Sequence, residues 1–255
     1  MNGAKEATMP VNSRTVLAIA FLLGFVAVAS AADFSLTSTH KVRSGMTINA
    51  GFEVDDRSQT VHDVTACYGK LCANVWLGLA LEDPNFSDGK LGNECDPVDV
   101  WYSLNVGGFA VTPEYAFYII SPAHDGSNDF HSPQLRISRQ IGNIEAYFKY
   151  QGLVPTGDGW PEGGTYLYLG VTTTLARVGD LSFGSKFELV RDTGAVGGQI
   201  GYLGRVGIYP SLDMGRWSLD LGYDRFQEIS VDDRGNHNMW TAGVTWKVVA
   251  PKSKD

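Results

Sequence analysis

From residue 46 onward almost every stretch of this chain alternates apolar and polar positions with a period of two. That is the repeat of a β-strand whose two faces meet unlike surroundings. In 46–54, Met46, Ile48, Ala50, Phe52 and Val54 alternate with Thr47, Asn49, Gly51 and Glu53. In 71–82, Leu71, Ala73, Val75, Leu77, Leu79 and Leu81 share one face. In 164–176, Leu167, Leu169, Val171 and Leu175 oppose Tyr166, Tyr168, Thr172 and Thr174, and in 237–249 Trp240, Ala242, Val244, Trp246 and Val248 oppose Thr241, Gly243, Thr245 and Lys247. The pattern predicts twelve strands: 46–54, 59–68, 71–82, 98–106, 109–120, 133–141, 144–152, 164–176, 181–191, 197–209, 216–227 and 237–249. No stretch after the N-terminal segment has a convincing 3.6-residue period.

The connections between these strands alternate in length. Tyr68–Leu71, Gly107-Gly108, Gly142-Asn143 and Arg177–Asp180 are short, whereas the links after strands three, five, seven and eleven are long and polar. Bacterial outer-membrane barrels combine short periplasmic turns, long external loops and an even strand number. The expectation is an all-β fold: a transmembrane, antiparallel, up-and-down β-barrel of about twelve strands, with both termini periplasmic. The links after strands nine and ten depart from the alternation, the first too short and the second too long.

The apolar faces add a second test. With odd strands running outward, Phe109, Phe183, Trp217 and Trp246 fall near the periplasmic ends, and Phe52, Phe117, Tyr150, Tyr223 and Trp240 near the outer ends. Two aromatic belts at the two interfaces suit a membrane barrel. The alternative is a soluble sandwich or lipocalin-like barrel, whose apolar faces would form a core. Strand lengths of 9–13 residues, the belts and the loop asymmetry favour the membrane.

Composition agrees. The chain has 255 residues, a charged fraction of 19 % and 30 glycines, so it is β-rich rather than a multi-span helical protein. A net charge of −8 argues against a nucleic-acid partner, because phosphate binding needs clustered Lys and Arg. At the N-terminus, Lys5 and Arg14 precede the apolar run Val16–Ser30, which ends in Ala29-Ser30-Ala31. These are the three parts of a secretory signal peptide, and the run is short of the ~20 residues a helical anchor needs. The domain reading is therefore a signal peptide over 1–31, a periplasmic lead over 32–45, the barrel over 46–249 and a tail over 250–255.

Two stretches carry a family resemblance. Cys72-Ala73-Asn74-Val75-Trp76-Leu77-Gly78 followed by Pro97-Val98-Asp99-Val100-Trp101-Tyr102, with the earlier Asp55-Asp56-Arg57-Ser58-Gln59, resembles the TorF-type porins of Gram-negative outer membranes. The likeness is strongest in the first half. It implies an outer-membrane channel for passive diffusion of small polar solutes, with outer-membrane lipid and the barrel insertion machinery as partners, no cofactor and no enzyme activity. The aromatic insertion signal common at barrel C-termini would be displaced inward here, since Lys247–Asp255 follow Trp246.

If the apolar faces meet lipid, the alternate residues line the lumen. The candidate pore-lining residues are Glu53, Asp99, Glu114, Arg136, Glu145, Lys149, Lys186, Glu188, Arg205, Arg216, Asp220, Asp224 and Lys247. Seven are acidic and six basic, which predicts weak ion selectivity. Two readings stay open: a water-filled pore with charged walls, or a lumen closed by paired charges, in a barrel that acts through its acidic loops.

Cys67 and Cys72 flank a tight turn and either bridge in an oxidising compartment or remain two small buried thiols. The alternation turns both inward on adjacent strands, so a disulfide is expected, with Cys95 in a long outer loop as the free thiol. No CxxC pair exists, so no zinc site is expected. Asp83, Asn85, Ser87 and Glu94 occupy calcium-loop offsets, but Gly89 is misplaced by one and no helix flanks them. His124 with Ser127, and His131 with Ser132, have the residue types of a lipid hydrolase. They fall in or beside a loop, and no GxSxG or HExxH motif supports catalysis.

Overall fold

In the computed structural model the described residues are 33–48, 52–55, 58–80, 95–120, 129–157, 163–195, 200–230 and 236–249. Every regular element among them is a β-strand. They are β1 (Phe34–Arg43), β2 (Met46–Ile48), β3 (Phe52–Asp55), β4 (Gln59–Tyr68), β5 (Leu71–Ala80), β6 (Cys95–Tyr102), β7 (Leu104–Val106) and β8 (Phe109–Ile120). They continue with β9 (Phe130–Ile141), β10 (Ile144–Pro155), β11 (Gly164–Val178), β12 (Leu181–Thr193), β13 (Ile200–Asp213), β14 (Trp217–Glu228) and β15 (His237–Val249). One sheet runs β6-β5-β4-β1-β15-β14-β13-β12-β11-β10-β9-β8-β7, and β6 also pairs with β8, which closes it. All pairings are antiparallel.

β6 and β7 form a single stave. Trp101 stands opposite Glu114 and Leu104 opposite Val111, so the register against β8 is the same on both sides of the break. The break at Ser103 faces the stretch of β8 that holds Pro113, which has no N–H for the ladder. Ser103 N instead donates to Lys70 O at 3.0 Å. The closed barrel therefore has twelve staves.

The barrel begins earlier than the alternation implies. β1 (Phe34–Arg43) lies in the wall, paired with β15 on one side and β4 on the other. The 32–45 lead is thus corrected to barrel strand. The expected first strand, 46–54, instead yields β2 and β3, which pair only with each other in a separate two-stranded sheet. The physical reason lies on the outward face of β1, where Ser38 and His40 interrupt Leu36 and Val42 and blur the apolar period. The other eleven predicted strands each overlap a stave. The signal-peptide segment and the 250–255 tail lie outside the described residues.

The five short turns fall at one end. Four are two-residue hairpins, with Gly69, Gly107, Gly108, Gly142 and Gly179 at φ of 58–82°. The left-handed conformation suits glycine, and the resulting turn matches the twist of paired strands. The fifth is Met214–Arg216. It is short because β13 continues through Pro210 to Asp213, where the alternation ended the strand at 209. At the other end the link after β12 spans 194–199, longer than expected. The link that had seemed too long is thus a short turn, and the one that had seemed too short gains one residue. β1 starts and β15 ends on the short-turn side, where Leu36 faces Val249.

The wall is inside-out. Leu169, Leu175, Val178, Phe187 and Trp240 are all 60 % or more exposed, while Gln59, Asn74, Ser132, Gln151, Glu188 and Asp224 are buried. An exposed apolar face around a polar interior is the arrangement of a lipid-embedded barrel. Trp217 stacks on Trp246 at the short-turn end (5.2 Å between centroids), and Tyr223 packs on Trp240 at the loop end (4.4 Å).

Candidate functional site

The lumen holds the concentrated chemistry, and its inward positions divide into two sectors. The first spans β9 to β14. Arg136 pairs with Glu145 (3.0 Å), Lys186 with Glu188 (3.1 Å), and Arg205 with both Glu188 (3.7 Å) and Asp224 (2.7 Å). Glu188 and Arg205 are direct cross-strand neighbours, so the register itself sets this pair. Tyr147 donates to Glu188, and Tyr209 donates to Asp224. The Arg136 guanidinium stacks 4.4 Å from the Tyr147 ring centroid, and Arg205 lies 5.1 Å from that of Phe226.

Two glycines make room for this network. A Cβ on Gly170 would lie 2.3 Å from Cζ of Tyr147, and one on Gly207 would lie 2.1 Å from the Tyr209 hydroxyl oxygen. Tyr147 thus lies across the bare position on β11 to reach a carboxylate two strands away, and Tyr209 lies back over the bare position on its own strand to reach Asp224, which stands opposite Gly207 on the next strand. Toward the short turns, Asp220 accepts from Ser211 (2.6 Å), Ser218 (3.0 Å) and Thr245 (3.1 Å). Lys247 pairs with Asp213 at 3.6 Å.

The second sector spans β4 to β8. Asp63, Asn74, Trp76, Asp99, Trp101, Thr112 and Glu114 surround a recess of about 380 Å³. Asp63 accepts from Asn74 (2.9 Å) and Thr65 (3.3 Å). Oδ1 of Asp99 is buried without a hydrogen bond.

Of the thirteen expected pore-lining residues, eleven lie on inward positions of the barrel. They are Asp99, Glu114, Arg136, Glu145, Lys149, Lys186, Glu188, Arg205, Asp220, Asp224 and Lys247. The two exceptions are corrected. Glu53 belongs to β3, outside the wall, and Arg216 is exposed in the turn before β14. Sequence reasoning passed over Asp63, Tyr147 and Tyr209. Each shares the parity of neighbours read as inward from the sequence, Cys67, Glu145 and Arg205, and that parity is the usable signal.

Cys67 and Cys72 face each other across β4 and β5 and are joined by a disulfide. Cys95 begins β6 rather than lying in a loop. The calcium-like segment, His124 and Ser127 lie outside the described residues. His131 faces outward, bonded to the Tyr115 hydroxyl, while Ser132 is buried on the inward face, so that pair shares no site. Among the described residues no group of three potential metal ligands converges.

Similar folds are known. The chain is similar to a NanC porin (TM-score 0.57, 14 % identity, covering 84 % of this chain and 100 % of that one). It is also similar to a KdgM porin solved in complex with disordered oligogalacturonate (TM-score 0.54, 12 % identity, 83 % and 98 % covered). At such identity the likeness shows the fold alone: a closed, antiparallel, porin-like barrel of the outer-membrane kind. No family model matches the sequence, so the TorF-type likeness gains no support. No curated protein sequence matches it.

Proposed function

We propose that this protein is an outer-membrane channel for passive diffusion of small polar solutes, exported by a cleaved signal peptide and set in lipid by the barrel insertion machinery. The observation that carries the reading is the closed wall, apolar and aromatic outside and hydrogen-bonded and charged inside. The wall gives water and polar solutes a lined path that lipid does not. Its solute is not tied to oligogalacturonate, which belongs to the KdgM complex.

One observation favours the closed-barrel alternative. Phe130, Tyr147, Leu153, Tyr166, Tyr168 and Leu203 form a buried cluster, with Trp76 and Tyr118 packed against it, and narrow the lumen. Planar-bilayer recording separates the two. Stable unitary currents from the refolded full chain support the channel. Their absence, with insertion verified by a heat-modifiable gel shift, supports a closed barrel that acts through its loops. Recovery as a detergent-free periplasmic protein would refute both.

A further inference from the structure

The outward face of the barrel changes character on β1 and β4. On β14 and β15 the outward positions between the two aromatic pairs are Leu219, Leu221, Ala242 and Val244. On β1 and β4 the corresponding stretch holds Ser38 opposite Val64, His40 opposite His62, and Val42 opposite Thr60. Trp246 stands opposite Ser38, and the Trp240 carbonyl accepts from Ser44 N. The two histidines therefore lie between the aromatic belts, in the band that lipid tails fill.

These groups bond in a chain, Ser38 Oγ to His40 Nε2 at 3.2 Å and His40 Nδ1 to His62 Nδ1 at 2.8 Å. A neutral imidazole has one N–H and one bare nitrogen. If Ser38 donates to His40, then His40 donates from Nδ1, and His62 keeps its N–H on Nε2. If His62 donates from Nδ1, then His40 donates to Ser38, and His62 Nε2 is a bare acceptor. In either direction the chain ends on His62 Nε2, which has no hydrogen-bond partner among the described residues.

Lipid tails cannot supply that partner. The group that does must stand in the membrane at the same depth. A second copy of this chain meets that condition by construction, because both copies insert in the same direction and carry the chain at the same height. About a two-fold axis along the membrane normal, each patch faces itself. Two copies whose chains run in opposite directions then present an N–H and a bare nitrogen to each other. A shallow recess of about 460 Å³ beside the pair, bordered by His40, His62, Thr60, Leu221 and Ala242, leaves room for side chains of that copy.

We infer that the outward face of β1 and β4 carrying Ser38, His40 and His62 is the contact through which two copies of this chain pair side by side in the membrane. The contact belongs to the wall and not to the lumen, so it holds for an open or a closed barrel.

Sedimentation of the refolded full chain in density-matched detergent should give the mass of two chains. His62→Leu removes the open nitrogen and restores an apolar surface, so it should raise the dimer dissociation constant by at least about tenfold. Thr60→Cys in a Cys95→Ser background lies beside the axis and should form an interchain disulfide when intact cells are oxidised. Leu169→Cys, exposed on β11 across the barrel, should not. The crosslink leaves the histidine chain intact, so it decides the matter if His62→Leu does not refold. A wild-type chain that sediments as one copy overturns the inference. So does a dimer that His62→Leu leaves unchanged, or one that links through Leu169→Cys and not through Thr60→Cys.

Discussion

Alanine in place of Gly170 would set a methyl group 2.3 Å from Cζ of Tyr147, 2.4 Å from its hydroxyl oxygen and 2.7 Å from Cε1. In a strand with ordinary neighbours the same change stabilises by about 0.5–1 kcal/mol, because glycine loses more backbone freedom on folding. Here the ring must leave. Its hydroxyl then no longer donates to Glu188, a bond to a charged acceptor worth about 1.5–3 kcal/mol. It also gives up the Arg136 guanidinium 4.4 Å from its centroid, a contact worth about 0.5–1 kcal/mol. The losses exceed the gain, and Gly170→Ala is expected to destabilise the barrel by about 1–3 kcal/mol.

The measurement is urea unfolding of the refolded chain in vesicles, followed by tryptophan fluorescence and extrapolated linearly. A second background isolates the cause. In Tyr147→Ala the ring is absent, so adding Gly170→Ala should be neutral or stabilising, by up to about 1 kcal/mol. Two results would refute the reasoning. One is a cost below about 0.5 kcal/mol in the wild-type background, within the range of an ordinary surface change. The other is the same cost in both backgrounds, which would mean that Gly170 answers to something other than Tyr147.

Arg205→Met leaves Glu188 and Asp224 without their guanidinium. Breaking a buried pair costs about 3–5 kcal/mol, and because the Arg205 side chain is 24 % exposed the urea midpoint should report less, about 2–4 kcal/mol. Adding Asp224→Asn should recover part of that loss. Arg136→Gln frees Glu145 from its cation, so the potassium-over-chloride ratio of the reconstituted channel should rise; a fall would contradict the Arg136–Glu145 pairing. Replacing Cys67 and Cys72 by serine removes a bridge across a short hairpin whose turn already fixes the register, so the midpoint should drop by no more than about 2 kcal/mol. Thiol counting by mass spectrometry on the unreduced protein should find one free thiol, at Cys95.

The period-two alternation made eleven staves legible because lipid and lumen impose opposite demands on adjacent residues. It missed β1 for a definite reason. Ser38, His40 and His62 face outward, where the pattern requires apolar residues. The structure shows how they are tolerated. His40 stands opposite His62, with Nδ1 to Nδ1 at 2.8 Å, and Ser38 lies 3.2 Å from Nε2 of His40. Side chains that satisfy one another need less from the lipid. A residue-by-residue hydropathy pattern cannot see a hydrogen bond between strands 22 positions apart, so it reads this stave as a periplasmic lead. The 46–54 stretch shows the converse. It alternates well and lies outside the wall, because alternation states what a strand has on its faces and not which strand it pairs with.

The lumen repeats that limit with charge. Parity alone turned Asp99, Glu114 and Arg205 inward, and in the barrel they stand opposite Asn74, Gln134 and Glu188. Pairing follows from register across the barrel, which parity does not contain. Glu188 meets Arg205 because residue 188 of β12 stands opposite residue 205 of β13. Glu114 stands opposite Trp101 on one side and Gln134 on the other, so the register gives it no cationic cross-strand neighbour. The same carboxylate chemistry thus does two different things in one wall. On β12 and β14 it is matched by the Arg205 guanidinium, and on β4, β6 and β8 its cross-strand neighbours are neutral. A count of acidic and basic residues weights both alike, whereas an ion in the lumen meets only the charges that no partner has cancelled.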